Sequence, residues 1–227
     1  YGVEFGISDS EFYFKNGYVW FHEVPYVESI KLGFFKAPMS MESLQNSTSL
    51  MMMELSGPVN AFAPNYKFGT QLGGVNKSRR ATAYGGWFAD GTDTSTGDAS
   101  ESSSRVIGRA TWLVRDASTE DSRLVHFGVS GSHLLTKRDG VRFRARPESF
   151  LAPYLVDTGS LGGKSALGYG VESALIEGPF SIQAEGLGSF TDDTANEDLH
   201  FFGGYVSASW MLTGESRPYN RESGVLS

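Results

Sequence analysis

The strongest constraint on how this chain folds is a set of about ten strand-like segments, several of which alternate cleanly with a two-residue period. In residues 164–176, Leu167, Tyr169, Val171 and Leu175 share one face of an extended chain, while Ala166, Gly168, Gly170 and Glu172 share the other. In residues 179–191, Phe180, Ile182, Ala184 and Phe190 oppose Ser181, Gln183, Glu185 and Ser189. Successive side chains of a strand point to opposite sides, so each segment has one apolar face and one small, polar face. Strands are expected at residues 1–8, 12–22, 27–36, 68–76, 80–90, 105–115, 122–135, 164–176, 179–191 and 199–212. Most are near the ~9–11 residues that cross a bilayer at a slant. Trp87, Trp112, Tyr169, Trp210, Phe180 and Phe190 fall on the apolar faces, several near strand ends, as interfacial girdles do.

The links between these segments carry a second pattern. Short ones at 22–26, 77–79, 116–121 and 177–178 alternate with longer ones at 37–67, 91–104, 136–163 and 192–198, with one three-residue exception at 9–11. Bacterial membrane barrels keep this parity, with short periplasmic turns and long outer loops. The 28 Gly, 10 Tyr and 16 Phe favour a glycine-punctuated β protein over a helical one. A mean hydropathy of -0.24 excludes a bundle of membrane helices and leaves a membrane barrel open, because alternating strands average to a hydrophilic score. The absence of Cys rules out disulfides and thiolate metal sites. The chain begins at Tyr1 without an initiator Met, and a mature or partial sequence is expected.

Two of the long links are too long and too apolar for simple solvated loops. Residues 37–67 hold a capping-type Ser40–Ser43 pair and a run of Met, and a helix over 40–54, ended by Gly57 and Pro58, is expected. Either it packs on a hydrophobic core or it folds into a barrel mouth. Residues 136–163 hold Arg142, Arg144 and Arg146 at every second position in GVRFRARP, with Val141, Phe143 and Ala145 between them. If extended, the three guanidinium groups project one way, and the inner wall of a wetted barrel is a place for such a row. Arg105 and Arg109 occupy an expected strand nearby. The row either guides anions or pairs with lumen acids such as Glu172 and Glu185 to brace the loop.

The net charge of -7 argues against nucleic acid as a partner. Acid gathers at Asp90, Asp93 and Asp98 and again at Asp192, Asp193, Glu197 and Asp198, in hydrophilic stretches that read as solvated loops. Catalysis has little support. His22, His126, His133 and His200 lack zinc spacing. His126 and His133 fall on opposite strand faces, and no nucleophile elbow is present. The GYG of Gly168–Gly170 reads as strand packing.

Several stretches, taken in order, resemble one family: KLGFFKAPMSMESL, ELSGPVNAFAPNYKFGTQL, RFRARPES, LVDTGSL, EGPFSIQAEG and GGYVSASWMLTGESRPY are similar to the phosphate-selective porin O and P family over nearly the whole chain. The resemblance implies an all-β, transmembrane antiparallel β-barrel of about 16 strands with two loops folded into the lumen. It implies a homotrimer in the outer membrane of a Gram-negative-type bacterium, no cofactor and no chemical step. About ten strands are present here, so the first and last few are expected to lie outside the chain. The first inward, constriction loop corresponds to 37–67 and the second to 136–163. Arg142, Arg144 and Arg146 occupy the segment that carries the family's ladder arginines. In phosphate-specific members a loop lysine beside a Thr/Ser pair contacts the anion. The matching stretch keeps the hydroxyls of Ser47, Thr48 and Ser49 and has Leu50 at the lysine's place. The resulting expectation is an outer-membrane porin for passive diffusion of small hydrophilic solutes, preferring anions, phosphate-type oxyanions among them. The alternatives are a plugged structural or assembly barrel and a soluble β-sandwich binding module.

Overall fold

The computed structural model describes residues 1–8, 11–89, 103–117, 123–135, 141–149, 151–162, 165–192 and 198–227. The acidic stretch at 90–98 and residues 193–197 lie outside these. Fourteen strands and two short helices follow in the order β1 (Gly2–Ser8), β2 (Glu11–Val24), β3 (Glu28–Lys36), α1 (Met41–Leu44), α2 (Gly57–Phe62), β4 (Tyr66–Val75), β5 (Ala81–Ala89), β6 (Ser104–Arg115), β7 (Arg123–Leu135), β8 (Arg144–Ala145), β9 (Val156–Asp157), β10 (Ser165–Glu177), β11 (Phe180–Asp192), β12 (Asp198–Trp210), β13 (Tyr219–Asn220) and β14 (Val225–Leu226). The ten long strands form one sheet in the order β1-β2-β3-β4-β5-β6-β7-β10-β11-β12. Each pairs antiparallel with its neighbour; β7 and β10, for example, run in register from Leu135↔Ser165 to Arg123↔Glu177. Each expected strand is present, with bounds within two residues of those read from the alternation. The other described sheets are two-residue pairs, so nothing of sandwich size stacks on the large one.

Alternation gives this sheet a bare face and a covered face. On the bare face stand Val106 and Trp112 of β6, Phe127 and Val129 of β7, Leu167 and Val171 of β10, and Phe202, Val206 and Trp210 of β12, each between 43% and 78% exposed. An apolar band crossing strand after strand would be a large liability in water, at roughly 25 cal/mol per Å² of apolar surface. In lipid it is the required exterior. Aromatic rings mark its two edges. Near the short turns, Phe180 stacks on Trp210 (5.6 Å between centroids) and Trp112 meets Phe127 (5.8 Å). At the other end Phe190 stacks on His200 (4.3 Å), with Tyr169 alongside (5.7 Å). Phe180 and Phe190 begin and approach the end of one strand. Their ten-residue separation spans ~33 Å of chain, or ~24 Å at a ~45° tilt, close to the ~25 Å apolar band of outer-membrane barrels.

The covered face carries small and polar side chains, with the loop segments laid against it. Met41 is buried among Leu113, Leu124, Ala174, Ile176, Val225 and Leu226. Met39 and Ala37 pack with Phe35, Phe88 and Ile107. Missing side chains on the wall make room for these contacts. A Cβ added at Gly168 would lie 3.1 Å from Met39 Cε and 2.5 Å from Ser132 Oγ, and one at Gly203 would lie 3.2 Å from Pro58. The GYG segment is therefore strand packing, with its glycines seating the loop.

The single helix expected over 40–54 does not form. Ser40 does cap a helix, its side chain accepting from Ser43 N at 3.1 Å, but α1 ends at Leu44. Gln45 is then extended and buried, its amide engaged by Gln183 and Arg217 of distant segments. Asn46, Ser47, Thr48 and Ser49 are weak helix formers that favour local turns, and only a 3-10 turn over Ser47–Ser49 follows. Pro58 sits in the first turn of α2, where its missing N–H costs nothing, and so starts a helix rather than ending one.

Candidate functional site

Three chain segments meet the covered face, and each is fastened by a different device. The first is residues 37–65. Glu185 of β11 accepts hydrogen bonds from Met41 N (3.0 Å) and Glu42 N (2.7 Å), satisfying the free N–H groups that open α1, and from the Tyr205 hydroxyl (2.8 Å). The Glu42 carboxylate accepts from Ser56 N (2.9 Å) and the Ser56 hydroxyl (2.7 Å), closing the loop on itself. Burial lifts the Glu42 carboxyl above its ordinary range, and the Ser56 donors offset part of that. Arg217, beyond β12, donates to Gln183 Oε1, Gln45 Oε1 and Ser49 O at 3.0, 3.3 and 2.6 Å.

The second segment is the hairpin of β13 and β14. Arg109 of β6 donates through Nε and Nη2 to Glu172 of β10 (3.1 and 2.5 Å), and to the Ser223 and Gly224 carbonyls (2.8 and 2.7 Å). His126 bridges Glu172 Oε1 (2.9 Å) and the Tyr219 hydroxyl (2.7 Å). Arg109 was expected to help guide anions. Its side chain is instead fully buried and its charge matched by Glu172, so it braces the hairpin. His133 lies on the bare face, across the strand from Ser130 and Ser132, so they form no Ser–His pair with it.

The third segment, residues 141–149 and 151–162, carries the arginine row. It folds as the β8–β9 pair outside the ten-stranded sheet. The expected alternation holds within it: Val141 packs with Leu134 and Ala166, and the Phe143 ring meets Phe62 and Phe201 at 5.3 and 5.4 Å. The arginines take the opposite side. Arg142 forms a two-point bridge to Asp157 (2.8 and 2.5 Å), while Arg144 and Arg146 flank the Tyr154 ring at 4.5 and 4.2 Å. Neither Glu172 nor Glu185 is their partner. Arg142 also lines a cavity of about 310 Å³ with Arg105 and Lys67, which brings three cationic residues of separate segments together.

The Arg142 hydrogen bonds hold the Asp157 carboxyl down at about 2, against an ordinary 3.8. Because the folded value is depressed, the bridge is complete above the ordinary value and is lost as pH falls through about 2. An NMR titration of the Asp157 carboxyl should find that low midpoint, and Arg142→Gln should return it towards 3.8.

Of the expected constriction residues, Ser47, Thr48 and Leu50 line a larger cavity, of about 800 Å³, while Ser49 offers its carbonyl to Arg217. Lys31, Trp20 and Phe35 line the same cavity. Lys31 and Lys67 were missed from sequence, although the strand alternation that puts Lys31 on the face of Ser29 and Phe35 was a usable signal.

Comparison with known proteins agrees with this arrangement. The sequence profile described as "Phosphate-selective porin O and P" matches residues 5–226. An uncharacterised protein of Caulobacter vibrioides is 26% identical over 232 residues, which cover 96% of this chain and 45% of that protein. Porin O of Pseudomonas aeruginosa is 45% identical over 56 residues, 24% of this chain and 13% of that porin. The chain thus spans less than half the length of these curated relatives. An all-β antiparallel meander, bare and apolar on one face and polar on the other, is the architecture such a match requires, and the chain belongs to the phosphate-selective porin O and P family.

Proposed function

We propose that the chain forms part of the wall and constriction of an outer-membrane porin that lets small hydrophilic solutes diffuse passively and favours anions. The observation that carries this is the cavity in which Arg142, Arg105 and Lys67 converge on the covered face of a sheet whose other face is apolar. A cationic wall acts by field: the low-dielectric surround focuses its potential and raises the local anion concentration. The guanidinium fork suits oxyanions, phosphate-type ones included. Arg144 and Arg146 extend the row, residues 37–67 and 136–163 serve as inward loops, and Ser47, Thr48 and Ser49 supply hydroxyl donors at the narrowing. The setting is outer-membrane lipid and the assembly a homotrimer, with no cofactor and no chemical step.

Reversal potentials of the native protein in a salt gradient test this, and cation preference would sink it. Arg142→Gln with Arg144→Gln and Arg146→Gln should lower the anion-to-cation permeability ratio about threefold to tenfold, because the cationic field at the wall weakens. Asp157→Asn should raise the ratio by releasing Arg142. A second reading, a plugged barrel serving structure or assembly, is favoured by the three segments fastened across the covered face. Single-channel recording separates the two, since a plug passes no current.

A further inference from the structure

The cavity of about 800 Å³ between the constriction segment and strands β2 to β4 differs from the arginine-lined one in its chemistry. Two lysines line it, Lys31 and Lys36, and the Lys36 ammonium donates to Gln45 O at 2.7 Å. The Lys31 ammonium lies 3.8 Å from the Tyr18 ring centroid, 4.6 Å from Phe35 and 5.1 Å from Trp20. Arg142, Arg109 and Arg221 each hold a carboxylate, at 2.5, 2.5 and 2.6 Å. Among the described residues, none forms an ion pair or hydrogen bond with Lys31. Three aromatic faces fix the ammonium in place without neutralising it, because ring quadrupoles attract a cation but carry no net charge.

A second observation points the same way. Trp20 Nε1 is buried on that wall with no hydrogen-bond partner, an arrangement protein interiors rarely tolerate. Leu50, Met53 and Thr48 also line the cavity. The site therefore offers two lysine charges, of which Lys31 is held over aromatic rings, together with a spare N–H donor and aromatic and apolar side chains. Glu4, Glu54 and Glu222 also line it. Their repulsion grows with the charge of the guest, so a monovalent anion suffers about half the penalty of a divalent one.

We infer that this cavity is a subsite for monovalent anions with a flat apolar body, namely aromatic carboxylates, with Lys31 as the anion contact and Leu50 as part of the apolar lining. The inference rests on the porin reading, because the subsite matters only if solute passes it. It adds a solute class that the arginine row alone does not select. A bare oxyanion gains the charge and loses the apolar contacts, whereas benzoate gains both.

The test is block of chloride current through the native protein in planar bilayers by benzoate, acetate or inorganic phosphate. Benzoate is expected to half-block at about one-tenth the concentration of either other anion, the order of effect a buried ring brings. Lys31→Gln should raise the benzoate half-block concentration about tenfold, while Lys31→Arg, which keeps a cation over the rings, should stay within about threefold of wild type. Trp20→Phe, which keeps a ring and removes the N–H, should weaken benzoate more than chloride conductance. Equal block by benzoate and acetate, tighter block by phosphate, or benzoate block unchanged in Lys31→Gln would each overturn the subsite while leaving the porin reading standing. A native protein that forms no channel overturns both.

Discussion

Arg109→Met is expected to destabilise the folded protein by about 3–5 kcal/mol, the loss that breaking a buried ion pair brings. The magnitude follows from what stays behind. Glu172 is buried with a side chain 2% exposed, and without Arg109 it keeps only the His126 ring as a partner. The Ser223 and Gly224 carbonyls lose their donors at the same time. Urea unfolding into lipid vesicles measures the loss. Arg109→Met combined with Glu172→Leu should recover much of it, because replacing both charges by apolar groups removes the orphaned ion. If the single and double variants are equally unstable, the ion pair is not what holds the hairpin. The Tyr219 hydroxyl contact to His126 predicts that the hairpin loosens along with the pair.

Replacing Glu185 should have the largest effect on conduction. Its carboxylate is the acceptor for the first two described N–H groups of α1, and charge-assisted hydrogen bonds contribute about 1.5–3 kcal/mol each. Glu185→Leu leaves those N–H groups and the Tyr205 hydroxyl without their acceptor, so the segment bearing Ser47, Thr48 and Leu50 should leave the wall. Single-channel conductance should rise and become noisy, while the barrel still folds because the strand pairs on either side of β11 are untouched. Ser181→Ala, on the same face of the same strand, is the control and should change neither. Unaltered conductance in Glu185→Leu would show that the loop is held by other means, Arg217 first among them.

The two variants act on contacts that differ in how far sequence could reveal them. Which faces of β10 and β11 carry Glu172 and Glu185 followed directly from alternation, since period two is a local property of an extended chain. Their partners did not. Arg109 meets Glu172 63 positions away, and Glu185 meets Glu42 143 positions away. No local pattern encodes which acid answers which donor. The arginine row shows the same division: its alternation against Val141 and Phe143 was legible, but its partners Asp157 and Tyr154 appear only once the chain doubles back through β9. The helix over 40–54 failed for a related reason. Ser40 announced its start, and its early end is set by Gln45 being drawn to Gln183 and Arg217 across the sheet.

What the residues alone determined was therefore the set of strands, the two faces of each and the basic character of one loop. All of these depend on neighbours within a few positions, where steric alternation and turn preference dominate. Tertiary structure decided that Arg109 is buried against Glu172 and the Ser223 and Gly224 carbonyls, that Lys67 joins Arg105 and Arg142, and that Lys31 stands over three rings at a cavity wall. Those outcomes depend on which buried charge finds which counter-charge once water is excluded. That is a property of the assembled wall and not of any one strand.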